Sequence, residues 1–190
     1  MARDLVTIVS GLPRSGTSMM MQMLEAGGLP ALTDEIRKAD DDNPKGYYEF
    51  EPVKKTKQDP SWLESARGKV VKIVYRLLYD LPAGYSYRVV FMQRRIEEVL
   101  ASQRLMLTRL GKEFNQADDA KLAELFRAQV KKCQDWLATR PNFATLAVDY
   151  NQLIATPRPQ VERLAEFLGP GLDVDAMLHV VDPALYRQRG

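Results

Sequence analysis

Residues 11–18 read Gly-Leu-Pro-Arg-Ser-Gly-Thr-Ser, and this stretch decides how the fold is interpreted. An apolar run rich in β-branched residues, 5–10, precedes it, and a methionine-rich stretch with helical spacing, 17–27, follows it. A strand, a glycine loop and a helix N-terminus in this order place backbone N–H groups and the positive end of a helix dipole around an anion. The stretch therefore predicts a phosphate-binding loop.

The loop differs from the P-loop of nucleotide triphosphatases at one position. That P-loop requires Gly, four residues and then Gly-Lys-Ser/Thr. Gly11 and Gly16 have this spacing, but Thr17 occupies the lysine position and the cation of the loop is Arg14. The loop is therefore expected to hold phosphate, but not the β- and γ-phosphates of ATP in the usual way.

The composition excludes several classes of protein. The chain has 190 residues, which predicts one domain over 1–190. It carries 27 Lys plus Arg and 25 Asp plus Glu, and this balance favours neither nucleic acid nor a membrane surface as a partner. The single cysteine, Cys133, allows no internal disulfide and is expected to be a buried structural thiol.

Targeting and metal-binding signals are missing from the sequence. The N-terminus lacks a signal-peptide pattern and no apolar run approaches transmembrane length, so a cytoplasmic location is expected. One histidine and one cysteine form no metal-ligand pattern, and no metal is expected.

Hydrophobic periodicity predicts strands that alternate with helices. Strands are expected at 5–10, 70–74, 88–92 and 143–148; helices at 17–27, 96–110, 119–138, 157–168 and 173–180; short helices at 51–58 and 60–66; and irregular structure at 30–50. Such alternation is typical of an α/β fold with three α/β/α layers and a mostly parallel, P-loop-like central sheet. The carboxyl ends of its strands should gather residues 11–18, 93–95 and 149–151.

A second polar group follows the strand at 88–92. Arg94 stands where this strand ends, and Ser102 lies about two turns into the next helix. A guanidinium and a hydroxyl on one element can bind a second phosphate, the arginine through its bidentate fork. The alternative is that Arg94 and Arg95 are surface charges at the edge of the sheet.

The two groups together resemble the sulfotransferase superfamily, which uses 3′-phosphoadenosine 5′-phosphosulfate (PAPS) as donor. The resemblance implies a loop that holds the 5′-phosphosulfate through Pro13, Arg14, Ser15, Gly16, Thr17 and Ser18. It also implies that Arg94 and Ser102 hold the 3′-phosphate, which remains on the product 3′-phosphoadenosine 5′-phosphate (PAP). Residues 43–49, Asn-Pro-Lys-Gly-Tyr-Tyr-Glu, and 148–153, Val-Asp-Tyr-Asn-Gln-Leu, are similar to segments of bacterial members.

The chain departs from the family pattern in three places. Many members carry lysine where Arg14 stands, and many carry an aromatic residue soon after the loop, where this chain has Met19, Met20 and Met21. The tail at 185–190 is only loosely similar to the Arg-Lys-Gly loop of eukaryotic members. The methionines are expected to pack in the core.

The resemblance implies metal-independent, in-line transfer of a sulfuryl group to a hydroxyl or amine acceptor. Arg14 would stabilise the charge on the leaving phosphate, and Glu49 would accept the acceptor's proton. Glu51 and Asp34 are alternative bases. His179 lies in an apolar helix and is expected to be packed and non-catalytic.

Two other functions stay open at this level. One is a P-loop-like nucleotide kinase or hydrolase, for which Asp149 is the one candidate magnesium ligand at a strand end. The other is a protein that binds an adenosine bisphosphate without turnover. The acceptor and the oligomeric state cannot be deduced from the sequence.

Overall fold

The apolar run before the loop forms a buried strand at the centre of a parallel sheet, as the sequence predicts. The structure is a computed structural model. It describes residues 5–34, 46–109, 111 and 119–181. Two features of the sequence analysis, residues 43–45 of the 43–49 segment and the tail at 185–190, lie outside the described residues.

The described strands form one five-stranded sheet in the order β2-β3-β1-β4-β5, and every pairing between them is parallel. The strands are β1 (Leu5–Gly11), β2 (Ala31–Leu32), β3 (Val70–Val74), β4 (Ser86–Gln93) and β5 (Phe143–Asp149). This sheet, flanked by helices, confirms the predicted α/β fold. Its topology places the carboxyl ends of all five strands at one edge.

The described helices cover both faces of the sheet. They are α1 (Thr17–Ala26), α2 (Ile96–Arg109), α3 (Asp119–Ala138), α4 (Tyr150–Ala155), α5 (Pro157–Leu168) and α6 (Val174–Val180). The predicted helices at 119–138 and 157–168 have the observed bounds, because each carries a long amphipathic pattern.

The core is divided by the sheet into two clusters. Val6 and Ile8 of β1 point into the cluster that α3 covers through Cys133, whereas Val9 points into the cluster that α1 covers. This alternation follows from the two-residue period of a strand. Met20, Met21 and Met23 are fully buried in the second cluster, and Met19 is partly buried and packs against it. The prediction that the methionines at 19, 20, 21 and 23 pack in the core is therefore confirmed. Cys133 is buried, as predicted.

Three local features differ from the predictions. The segment at 30–50, predicted to be irregular, contains the short strand β2. The short helices are 3-10 helices at Glu51–Lys55 and Ser61–Ala66, and a third follows β3 at Tyr75–Asp80. Helix α4, which the sequence analysis missed, begins directly after β5. Its six residues are too short for a helical period to be recognised.

Candidate functional site

The two loop glycines stand where a side chain would not fit. Gly11 has a φ angle of +149°, and a Cβ built on it would lie 2.6 Å from the carbonyl oxygen of Met92. Gly16 has a φ angle of +94°, and a Cβ there would lie 2.4 Å from Cδ2 of Tyr150. The glycine spacing therefore allows the loop to approach β4 on one side and α4 on the other.

Ser15 stabilises the turn of the loop through two hydrogen bonds. Its hydroxyl donates to the carbonyl oxygen of Leu12 at 2.7 Å, and its backbone N–H donates to the same oxygen at 3.2 Å. Arg14, just before it, has a φ angle of 71°, in the left-handed region. Ser15 is buried, so its observed role is to hold the turn, and its role toward a ligand stays a prediction.

Helix α1 begins at the end of this turn. Its N-cap is Gly16, which provides no side chain to cap the first N–H groups. The first N–H groups of any helix lack intrahelical partners, and the helix dipole adds positive potential there. The N-terminus of α1, where Thr17 and Ser18 lie, therefore offers N–H donors and positive potential, and the binding of phosphate there stays a prediction.

The structure brings Arg14, Arg94 and Ser102 together. The Arg14 Nε donates to the Ser102 hydroxyl at 2.8 Å, and Nη1 of Arg94 donates to the Arg14 carbonyl oxygen at 3.2 Å. Arg94 directly follows β4, and Ser102 lies on α2. The two groups that the sequence analysis separated thus share one hydrogen-bond network at the carboxyl edge of the sheet.

Arg94 is largely enclosed, so it does not fit the alternative of a surface charge. Its side chain is 8% exposed and its Nε lies 2.9 Å from the Glu98 carboxylate. The guanidinium carbon lies 4.6 Å from the centre of the Tyr150 ring, which is within the range of a cation–π interaction. Arg95 differs clearly, because its side chain is 65% exposed.

Lys72 is a site residue that the sequence analysis missed. It lies on β3, and its ammonium lies 3.4 Å from the Ser18 hydroxyl and also donates to the Tyr47 carbonyl oxygen. Ser18 donates to that same carbonyl oxygen at 3.3 Å. A lysine inside the apolar run 70–74 was the available signal, since a charge in a central strand needs a local reason.

The three candidate bases lie in one group beside β2. The Glu49 carbonyl oxygen accepts hydrogen bonds from the Thr33 hydroxyl at 2.9 Å and the Asp34 N–H at 3.2 Å. The Asp34 carboxylate accepts from the Glu51 N–H at 2.6 Å. These bonds attach the start of the 3-10 helix to the end of β2, at the carboxyl edge of the sheet.

The pKa of Lys54 reflects the negative charge of these three carboxylates. Its hydrogen bond to Glu51, with the charges of Glu51, Glu49 and Asp34, raises the pKa of its ammonium. Glu51 is therefore engaged by a cation, and Asp34 by a backbone N–H. The structure thus places Glu49 and both of its rivals close together, and the choice of Glu49 as base stays a prediction.

His179 is not packed, contrary to the sequence prediction. It lies on α6, is exposed, and its Nδ1 is 2.7 Å from the Asp175 carbonyl oxygen one turn earlier. The prediction was wrong because position 179 faces away from the side of α6 that buries Met177.

A cavity of about 210 Å³ opens beside Arg94 on the α3 side of the loop. Leu12, Ser15 and Met92 form part of its wall, and Arg127 and Lys131 of α3 lie at its other side. Both α3 cations also form ion pairs, with Glu97 and Asp135. The cavity thus lies between the loop and α3, and the two α3 cations in its lining are each paired with a carboxylate.

The described part of the chain has neither a metal-binding cluster nor a membrane-spanning helix. Within residues 5–34, 46–109, 111 and 119–181, no group of three or more His, Cys, Asp or Glu side chains is arranged to hold a metal ion. Among the same residues, no helix has the length and apolar character needed to cross a membrane.

Comparison with known proteins identifies relatives of the whole chain. A family model described as the sulfotransferase domain matches residues 4–187. The fold is similar to a solved structure, the sulfotransferase domain from the curacin biosynthetic pathway, with a TM-score of 0.52 and 14% sequence identity. That match covers 98% of this chain and 92% of the other, and at this identity it shows the fold alone. No curated protein matches the sequence.

Proposed function

Because the chain belongs to the sulfotransferase domain family, we propose that it transfers a sulfuryl group from PAPS to a hydroxyl or amine acceptor. One observation carries the choice of donor: Arg14, Arg94 and Ser102 meet in one network beside the N-terminus of α1. A ligand bound there would face one set of cationic and hydroxyl groups on the loop and a second set, Arg94 and Ser102, after β4 and on α2. Two such sets suit a ligand with a phosphate at both ends of an adenosine.

PAPS supplies an activated sulfuryl group when bound. Residues 14–18 would hold its 5′-phosphosulfate through backbone N–H groups and the Thr17 and Ser18 hydroxyls. Arg94 and Ser102 would hold the 3′-phosphate. No metal takes part in this scheme.

Arg14 and Lys72 would provide positive charge where negative charge develops on the leaving phosphate. In the structure, Nε of Arg14 donates a hydrogen bond to the Ser102 hydroxyl at 2.8 Å. When PAPS binds, Arg14 and Ser102 must exchange this hydrogen bond for bonds to the phosphate groups. Lys72 lies on the other side of the loop, 3.4 Å from the Ser18 hydroxyl. The candidate site therefore includes cations on both sides of the helix N-terminus.

The transfer also requires a group that takes up the proton of the acceptor. Glu49 is the proposed base, since its backbone is tied to the end of β2 at the carboxyl edge of the sheet. In the transfer, the bond from sulfur to the leaving phosphate oxygen breaks, the bond from sulfur to the acceptor forms, and the acceptor's proton moves to the carboxylate.

Thermal stabilisation by nucleotides tests the proposed function. A ligand that binds only the native state raises the melting temperature. PAP is expected to stabilise the protein more than adenosine 5′-phosphate or ATP with magnesium. Stabilisation by ATP with magnesium but not by PAP would instead favour a kinase or hydrolase.

Two arginine variants refine the same measurement. Arg94→Ala is expected to weaken binding of PAP far more than binding of adenosine 5′-phosphate, because only PAP has a 3′-phosphate. Arg95→Ala is the matched control, since Arg95 is adjacent and exposed and its guanidinium lies farther from the Glu98 carboxylate, at 3.7 Å, than that of Arg94, at 2.9 Å. Equal losses for both nucleotides in Arg94→Ala would remove Arg94 from the 3′-phosphate site.

The base is tested by turnover with radiolabelled donor across a panel of hydroxyl and amine acceptors. Glu49→Gln should retain PAP binding and reduce transfer by about 10²- to 10⁴-fold, as is usual for loss of a general base. Glu51→Gln is the control, because Glu51 already pairs with Lys54. Full transfer by Glu49→Gln would make Asp34 or Glu51 the candidate. PAP binding by the wild type without transfer to any acceptor would identify a binding protein without turnover.

A further inference from the structure

Glu98 is a carboxylate in the interior of the site. Its side chain has no exposed surface. Burial of an ionised carboxylate costs several kcal/mol unless partners satisfy it. Its Oε2 accepts from Nε of Arg94 at 2.9 Å, and its Oε1 accepts from Nδ2 of Asn151 at 2.8 Å. Nη1 of Arg95 also lies 3.7 Å from Oε1. The two oxygens thus face the turn after β4, which carries both arginines, and the start of α4.

These contacts determine how Arg94 is oriented. Nε is bound to Glu98, Nη1 to the Arg14 carbonyl oxygen, and the guanidinium lies 4.6 Å from the centre of the Tyr150 ring. A planar guanidinium that is held through two of its nitrogens and faces an aromatic ring has little freedom to rotate. The orientation of its fork is therefore set by the protein before any ligand arrives.

Asn151 is oriented by two bonds of opposite polarity. Its Nδ2 donates to Glu98, and its Oδ1 accepts from the backbone N–H of Arg95 at 3.3 Å. A reversed amide would place its oxygen against the Glu98 carboxylate and its NH₂ group against the backbone N–H of Arg95. Asn151 therefore ties α4 to the turn between β4 and α2 and keeps an N–H directed at Glu98.

We infer that Glu98 and Asn151 are positioning residues that orient Arg94 and so give the site its preference for a nucleotide with a 3′-phosphate. The inference rests on the proposed function, because it assigns Arg94 to that phosphate. The negative charge of Glu98 by itself would repel a phosphate. Its contribution is the fixed direction of the Arg94 fork, since ordering a donor in advance lowers the entropic cost of binding.

An exchange of the two side-chain types tests this inference. In Glu98→Gln, the new NH₂ group must face either Nε of Arg94 or Nδ2 of Asn151, both of which are donors. In Asn151→Asp, two carboxylates face each other in the interior. In the double variant Glu98→Gln/Asn151→Asp, the amide at 98 can donate to the carboxylate at 151 and accept from Arg94, so every bond has a partner again.

The measured quantity is the ratio of the dissociation constants for adenosine 5′-phosphate and PAP, obtained by calorimetry. Glu98→Gln is expected to reduce this ratio by about 10- to 100-fold, the range for a lost hydrogen bond to a charged group. The double variant is expected to recover most of the ratio. Asn151→Ala is a milder change at a half-buried position and is expected to reduce the ratio less than Glu98→Gln does. It replaces Glu98→Gln in the test if that variant does not fold.

Each result is decisive. If Glu98→Gln and Asn151→Ala lower the melting temperature but keep the wild-type ratio, both residues are only structural and the inference is wrong. The same conclusion follows if the double variant binds no more selectively than Glu98→Gln. If the wild type itself does not prefer PAP, the proposed function fails and the inference falls with it. A lost ratio that the exchange restores supports the inference.

Discussion

Gly16 is the loop residue whose missing side chain leaves room for Tyr150 of α4. Its φ angle of +94° is in the region that favours glycine, and the Tyr150 ring occupies the space a side chain would need. The same ring lies against the Arg94 guanidinium. A change at Gly16 should therefore disturb both the loop and the orientation of Arg94.

Gly16→Ala and Gly28→Ala separate backbone strain from this contact. Gly28 has a φ angle of +96°, almost that of Gly16, but a Cβ there would meet no atom within 4 Å. Gly28→Ala is expected to cost about 1–2 kcal/mol in unfolding free energy, the penalty of the left-handed conformation. Gly16→Ala is expected to cost a further ~1–3 kcal/mol because of overpacking, and to weaken PAP binding. Urea denaturation measures the unfolding free energy of each variant. Equal losses in Gly16→Ala and Gly28→Ala would show that the Tyr150 ring moves aside without cost.

The sequence predicted the role of a residue where that residue type is uncommon in its sequence context. Gly11, Gly16 and Arg14 stand in a recognisable spacing after an apolar strand, and this identified the loop. Glu98 was not predictable, because a glutamate near the start of an amphipathic helix is normally a solvated charge that favours the helix dipole. Only its burial between Arg94 and Asn151 distinguishes it.

At the scale of elements, the short helix α4 positions more of the site than its length suggests. It carries Tyr150 and Asn151, and it begins directly at the end of β5. Its N-cap is Asp149, whose carboxylate accepts from the Gln152 N–H at 3.0 Å. Asp149 was the candidate magnesium ligand for the kinase alternative, and its observed role is that of a helix cap.

Asp149→Ala and Asp173→Ala compare this cap with one on another helix. Asp173 caps α6 in the same way, with its carboxylate 2.9 Å from the Ala176 N–H. Each change is expected to lower the unfolding free energy by about 1 kcal/mol, the usual value of an N-cap. Only Asp149→Ala should also weaken PAP binding, because α4, unlike α6, carries Tyr150, whose ring lies against the Arg94 guanidinium. Equal PAP affinity in the two variants would contradict the role assigned to α4, and Asp149→Asn, which keeps a capping oxygen, should bind like the wild type.

At the scale of the whole molecule, the order of the strands assembles the site. β1 lies between β3 and β4, so the loop that follows β1 has Lys72 on one side and Arg94 on the other. The acidic group with Glu49 lies beyond β3, at the β2 end of the same edge. Cations thus flank the loop on both sides, and the acidic group lies farther along the edge, beyond β3.

Cys133 offers a measurement of stability for the whole molecule. It is fully buried in the cluster under α3, and burial raises the pKa of its thiol. Alkylation by iodoacetamide at neutral pH is therefore expected to be slow and to require opening of the fold. PAP at about 100 times its dissociation constant should slow alkylation by about 100-fold, if global opening exposes the thiol. An alkylation rate that PAP does not change would show that Cys133 is reached by local opening around α3.

The sequence by itself determined the longer helices and strands, the glycine loop and the fold class, because these depend on periodicity and on backbone requirements within a few neighbouring residues. It also predicted that Arg94, at the end of a strand, and Ser102, on the next helix, act on one phosphate, and this role stays a prediction. Only the tertiary structure decided which groups meet. Arg14 and Ser102 are 88 positions apart in the chain, and Lys72 and Ser18 are 54 apart. Contacts at such separations follow from how the strands are ordered and how side chains pack, and no local pattern encodes them.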